Sequence, residues 1–189
     1  MNKNDLVIKI KKCFSTIPYP KNQKIIYKQE YASFSLEAIK VLQGFQNKHW
    51  KQVSWKDILT AGSYALTVLT LEGFNFYLPA YMISMLQHFD QLVEDILVES
   101  LIDRLIPPKN MFSLNREWPE WDLWRKEKFE GLQKLTYEQK KCVRLFLECM
   151  DEEHNEEFFD KDYDFGEIEP SNYILPSPAL ALELYWGKV

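Results

Sequence analysis

The sequence predicts an all-α fold: a single-domain helical bundle of about seven helices with a proline-kinked central helix. Three observations carry it. Apolar residues return at steps of three and four along most of the chain, the period of an amphipathic helix. Ser, Thr and Asp stand just ahead of several of those stretches, where a helix N-cap belongs. Runs that alternate apolar with polar are too few to build a sheet. With 189 residues, of which 46% are apolar and 15% aromatic, the chain can bury one sizeable core, and its length favours one domain over two.

Taken in order, Leu6, Val7, Ile10, Phe14 and Ile17 line one face of a first helix whose lysines lie on the other, and Pro18-Tyr19-Pro20 ends it. Ser35 is placed to cap a second helix through Leu36, Ile39, Val41, Leu42 and Phe45. Ser54, with Asp57 three residues on, makes a capping-box variant for a short helix from Trp55 to Leu59.

The central segment runs from Leu69 to Met82 and holds one acid, Glu72, and one proline, Pro79. Thr70 is the N-cap candidate, and Glu72 falls in the first turn, where the helix dipole favours an anion. Pro79 lacks a donor and crowds the carbonyl four residues back, which predicts a kink or restart near Leu78. The wider run from Ala61 to Leu86 is very apolar, but Glu72, Asn75 and Pro79 interrupt it, so it reads as buried helix and not as a membrane span.

Asp90 is expected to cap a long helix with a stripe of Leu92, Val93, Ile96, Leu97, Leu101, Ile102 and Leu105, stopped by Pro107-Pro108. Pro119 suits the first turn of a helix carrying Trp121, Trp124 and Phe129. Thr136-Tyr137-Glu138-Gln139 reads as a capping box opening a helix whose apolar face is Val143, Phe146, Leu147 and Met150. Residues 151–176 form an acidic, partly irregular segment, in which Phe158 to Phe165 alternates like an extended edge. Ser177-Pro178 is an N-cap and N1 pair for a last helix over 178–187, with Leu180, Leu184, Tyr185 and Trp186.

Net charge is -5, unevenly spread. Met1 to Lys28 carries seven lysines against Asp5, whereas Glu148 to Glu169 carries eleven acids against Lys161. The acidic stretch repels nucleic acid and membrane phosphates and attracts a basic protein, unless the two charged ends neutralise each other. Cys13, Cys142 and Cys149 are an odd set. The latter two fall about 10 Å apart along one helix, too far for a disulfide. Reduced thiols and a start without an apolar signal core point to a cytoplasmic protein.

Several landmarks together resemble a family of uncharacterised bacterial proteins, a domain of unknown function. They are Phe14 with Ile17-Pro18-Tyr19-Pro20, Trp50 or Trp55, the segment Leu69-Thr70-Leu71-Glu72-Gly73-Phe74-Asn75-Phe76-Tyr77-Leu78-Pro79-Ala80-Tyr81, and Leu135 to Gln139 with Phe146-Leu147. The Tyr-Leu-Pro-Ala block is the specific part, and the likeness extends from about residue 5 to 150, leaving the acidic stretch outside. Gly73 stands where alanine is expected, which would loosen the helix start. The resemblance implies a helical fold and transfers no catalytic residue.

No reaction motif is present. Asp160-Lys161-Asp162-Tyr163-Asp164-Phe165-Gly166 alternates acids as a calcium loop does, but glycine is seventh and not sixth, and Ser171 occupies the twelfth place that needs a glutamate. Asp151 to Glu157 surrounds His154 with acids, yet the second Glu-x-x-His of a bundle metal site is missing. His49 and His88 stand alone and read as surface or capping residues. No metal and no cofactor is therefore expected. Gly62-Ser63-Tyr64 lacks the nucleophile-elbow frame, and the six glycines are too scattered for a phosphate loop.

Two function classes follow. The first is a non-catalytic protein-binding module, such as an immunity protein against a bacterial toxin. In it Asp160, Asp162 and Asp164 would meet a basic partner and Phe158, Phe159, Tyr163 and Phe165 would supply the anchors. Trp118, Trp121 and Trp124 are the next recognition stripe in line. The alternative is an enzyme or small-ligand protein with a pocket near Glu72, Tyr77 and Tyr81, where a buried glutamate would act as acid or base. An open pocket there favours the second class; a closed core with Glu72 merely at a helix N-terminus favours the first.

Overall fold

The computed structural model describes residues 1–20, 25–27, 35–93, 96–107, 129–158 (154–158 in backbone only) and 177–189. These residues form an all-α single domain. Its elements are α1 (Lys3–Cys13), α2 (Leu36–Phe45), a 3-10 turn (Trp50–Gln52), α3 (Trp55–Ala61), α4 (Tyr64–Val68), α5 (Leu71–Leu92), α6 (Leu97–Leu105), α7 (Tyr137–Phe158), α8 (Pro178–Leu184) and a second 3-10 turn (Trp186–Lys188). Residues 129–133 are also helical.

Most helix starts lie where a side chain can take an orphan backbone donor. Ser35 accepts from the Ala38 amide and Ser177 from Leu180. Ser54 and Asp57 form a reciprocal capping box, as do Thr136 and Gln139. Thr70 accepts from the Gly73 amide at 2.9 Å, with Glu72 in the first turn beside it. Two ends differ from expectation. α1 stops at Cys13, and Ile17 sits beyond it in a tight turn closed by Ile17 N to Phe14 O, because Pro18 restricts the residue before it to extended backbone. α7 continues to Phe158, so the acidic segment is helical over 151–158, and the alternating run starts on a helix and not on an extended edge. Residues 159–176 and the Trp121–Trp124 helix start lie outside the described residues.

α5 is the axis of the domain. Fourteen of its 22 residues are buried, among them Phe74, Phe76, Tyr77, Leu78, Tyr81 and Met82. A helix apolar on all sides has to be enclosed, and α1, α3, α6, α7 and the first 3-10 turn pack on it. Pro79 lies inside α5, but the residue with non-helical backbone is His88 (φ -140°, ψ 38°), nine residues later. There the His88 ring lies 5.4 Å from the Trp55 ring. Asp90 is thus inside α5 and caps nothing. The expected long helix is instead divided by a turn in which Ile96 adopts the left-handed conformation (φ 49°), and α6 starts only at Leu97. That conformation is unusual for a β-branched residue, and no glycine or asparagine marks the break.

One extended contact steadies the start of α5. Ile26 bridges antiparallel to Leu69, flanked by Tyr27 N to Val68 O (3.0 Å) and Thr70 N to Ile25 O (2.9 Å). The Ile25 carbonyl passes so close to Gly73 that a Cβ there would lie 2.6 Å from its oxygen. Glycine at this place is a packing requirement and not a loosened helix start. Gly73→Ala should therefore destabilise the protein by about 1–3 kcal/mol through overpacking, although helix propensity alone would make it a gain of about 1 kcal/mol. Thermal or urea unfolding of the single variant reads the sign directly.

Candidate functional site

The tyrosines of α5 point into the core, and both are fully buried. The Tyr77 hydroxyl lies 2.7 Å from the Phe45 carbonyl oxygen and 3.1 Å from that of Lys48 and donates to them. Phe45 ends α2, and its carbonyl takes this hydroxyl beside the Lys48 amide, which donates to it at 3.1 Å. Its ring centroid is 4.7 Å from that of Phe45. Burial raises the Tyr77 pKa well above the ordinary phenol range. Glu72 is exposed in the first turn of α5. The helix separates it from Tyr77 by about 7.5 Å of axial rise, and it is exposed where both tyrosines are buried.

The charge that acts on Tyr81 is that of Arg104, near the end of α6. Arg104 is only 7% exposed. Its guanidinium lies 4.0 Å over the Phe74 ring, and Nη1 donates to the Leu66 carbonyl in α4. Its Nε and Nη2, and the Tyr81 hydroxyl, are buried without a hydrogen-bond partner among the described residues. Burial lowers the Arg104 pKa to about 10, opposed by the nearby Tyr27, Tyr81 and Asp103, so the group is charged at neutral pH. The apolar stripe of α6 held a clue to this residue. Position 104 is three past Leu101 and seven past Leu97, on the face that packs inward. An arginine in the last turn of a helix otherwise reads as a surface charge complementing the dipole.

A half-open cleft of about 450 Å³ lies where α1, the first 3-10 turn and α5 meet. Lys11 and Lys51 supply cations to it, and Val53, Ala80 and Ile83 apolar wall.

The acids of α7 begin within the described residues. Glu153 pairs with Lys3 of α1, and Arg144 Nε is 2.7 Å from Glu148. The two charged ends of the sequence are therefore in contact at one point. Phe158 is the last residue of α7. Phe159, Asp160, Asp162, Tyr163, Asp164 and Phe165 lie outside the described residues, as do Trp118, Trp121 and Trp124.

Among the described residues no three His, Cys, Asp or Glu side chains group as metal ligands would. His49 accepts from the Lys51 amide and caps the first 3-10 turn. Cys142 and Cys149 are buried and Cys13 is half-buried, all as free thiols. Burial pushes the Cys142 thiol up to about 12 and Cys149 to about 11, which makes both weak nucleophiles. No helix among the described residues is long and apolar enough to cross a membrane.

The model of a family of unknown function, DUF6714, matches residues 2–188. That match takes in the acidic stretch and the C-terminal helix, which the resemblance over residues 5 to 150 had left outside. No curated protein and no solved structure matches the chain.

Tyr77→Phe should cost about 1 kcal/mol, because the ring stays while the hydroxyl's hydrogen bond to the end of α2 is lost and the Phe45 carbonyl keeps the Lys48 amide. Urea unfolding, with the midpoint compared at constant slope, measures it.

Proposed function

The chain belongs to this family of unknown function, and we propose that it is a non-catalytic protein-binding module that docks on a basic partner through its acidic, aromatic stretch. An immunity protein that occludes a bacterial toxin in the cytoplasm is the form this takes. Asp160, Asp162 and Asp164 face lysines or arginines of the partner, and Phe158, Phe159, Tyr163 and Phe165 fill its pockets. The observation that supports this reading best is the closed packing of α5: the Tyr77 hydroxyl is taken up by the end of α2, while Glu72 stands apart at an exposed helix start. The span of the family match is a second support, since it includes the acidic stretch in the same unit.

The small-ligand reading draws its support from a different place than Glu72 and Tyr77. The cleft between α1 and α5 has the size of a small-molecule site, and Lys11 and Lys51 suit an acidic ligand. No carboxylate or histidine is among its lining residues.

A partner captured from the native host should be basic, and its association should be steered by charge. Replacing Asp160, Asp162 and Asp164 together with asparagine should leave the melting temperature unchanged or slightly higher. The same variant should associate more slowly and with a flatter salt dependence, measured by stopped-flow or surface kinetics. Unchanged association at low salt would move the interface to the tryptophan stripe. Loss of folding would make these acids structural.

A further inference from the structure

We propose that the cleft between α1, the first 3-10 turn and α5 binds a medium-chain carboxylate, an amphipathic acid whose head is met by Lys11 and Lys51 and whose chain lies on α5 at Ile83. This rests on the small-ligand reading of the cleft and is independent of the acidic docking surface. Between Phe74 and Leu86 every apolar residue of α5 is buried except Ile83, which is half-buried. Ala80, Ile83 and Gln87 stand three and four positions apart, so they share one face of the helix, and that face is a wall of the cleft. The enclosure of α5 is thus left open at this stripe, and Val53 extends the apolar surface there.

The polar side of the cleft is cationic. Lys11 comes from α1 and Lys51 from the 3-10 turn; both are exposed, and neither pairs with a carboxylate among the described residues. Lys51 Nζ lies 5.5 Å from the centroid of the Trp50 ring, which keeps that ammonium beside a buried lining residue. In a chain of net charge -5, two cations with no acid among their neighbours in the lining select an anion. The space is about 450 Å³. At about 30 Å³ per water-sized group, an acid of about ten heavy atoms takes up about two thirds of it. A bare inorganic anion would leave the aliphatic wall wet, and a neutral hydrocarbon would gain nothing from the two ammonium groups. An ionised acid on an aliphatic chain uses both.

The test uses the full chain, with sodium octanoate as the probe, kept below micelle formation. Two-dimensional amide NMR follows the titration, and saturable shifts should centre on Lys51, Val53, Ile83 and Gln87. Hexanoate, two methylenes shorter, should bind at least about fourfold more weakly, since one fully buried methylene is worth about that factor. Octanamide keeps the chain and lacks the charge, and should bind about tenfold more weakly than octanoate. Replacing Lys11 and Lys51 together with glutamine should leave the melting temperature unchanged, because both side chains are exposed. That variant should bind octanoate no better than octanamide. Octanamide binding as tightly as octanoate, or a double variant that holds octanoate as the wild type does, would overturn the carboxylate assignment while leaving a small-ligand cleft in place. Absence of saturable shifts at the cleft with every probe, or shifts scattered over the whole surface, would overturn the proposal and the small-ligand reading together.

Discussion

The enclosure of α5 is the constraint on which the rest of the structure depends. Its buried residues lie on every side of the helix, so no single partner helix can cover it. Elements separated widely in sequence have to converge on it, from α1 near one end of the chain to α7 near the other. The same geometry leaves helix ends facing the interior, and buried donors close them. Tyr77 donates to the last carbonyl of α2, and the Trp186 indole Nε1 donates to the Leu105 carbonyl that ends α6, at 2.7 Å. Asn75 reaches the Gly131 carbonyl at 2.8 Å. Long polar tips on apolar bodies reach such positions and add hydrogen bonds worth on the order of 1 kcal/mol each, although the Phe45 and Gly131 carbonyls also take a turn amide.

Features set by neighbours in sequence were legible. The caps at Ser35, Ser54, Thr70, Thr136 and Ser177 rest on contacts three residues long, and all five are present. Features set by distant contacts were not. Gly73 resembles a weak helix start until the Ile25 carbonyl, 48 positions away in sequence, is seen against it. The break before α6 falls on Ile96 with no residue that signals it, and the backbone irregularity of α5 falls on His88 and not on the proline. Arg104 follows the buried period of its helix, but its chemistry argued for the surface. Of the candidate docking residues, only the backbone of Phe158 falls among the described residues.

Charge divides the molecule into two different problems. At the surface, the Lys3–Glu153 pair joins the basic start of the chain to the acidic end of α7, a half-exposed contact of small energetic worth. The other acids of the stretch are what the binding-module proposal rests on. In the core, Arg104 is a single charge in a place where screening is weak and compensation matters most. The first is the side of the molecule that the binding-module proposal concerns; the second sets how its centre holds together.

The measurement that tests the central role of α5 most directly is native-state amide hydrogen exchange, followed residue by residue as denaturant is added. If α5 is the enclosed axis, its amides between Phe74 and Leu86 open only with global unfolding, at a free energy equal to that from equilibrium denaturation, while α8 and the ends of α1 open at lower cost. Exchange of those α5 amides through local openings well below the global free energy, with another helix more protected, would contradict the account.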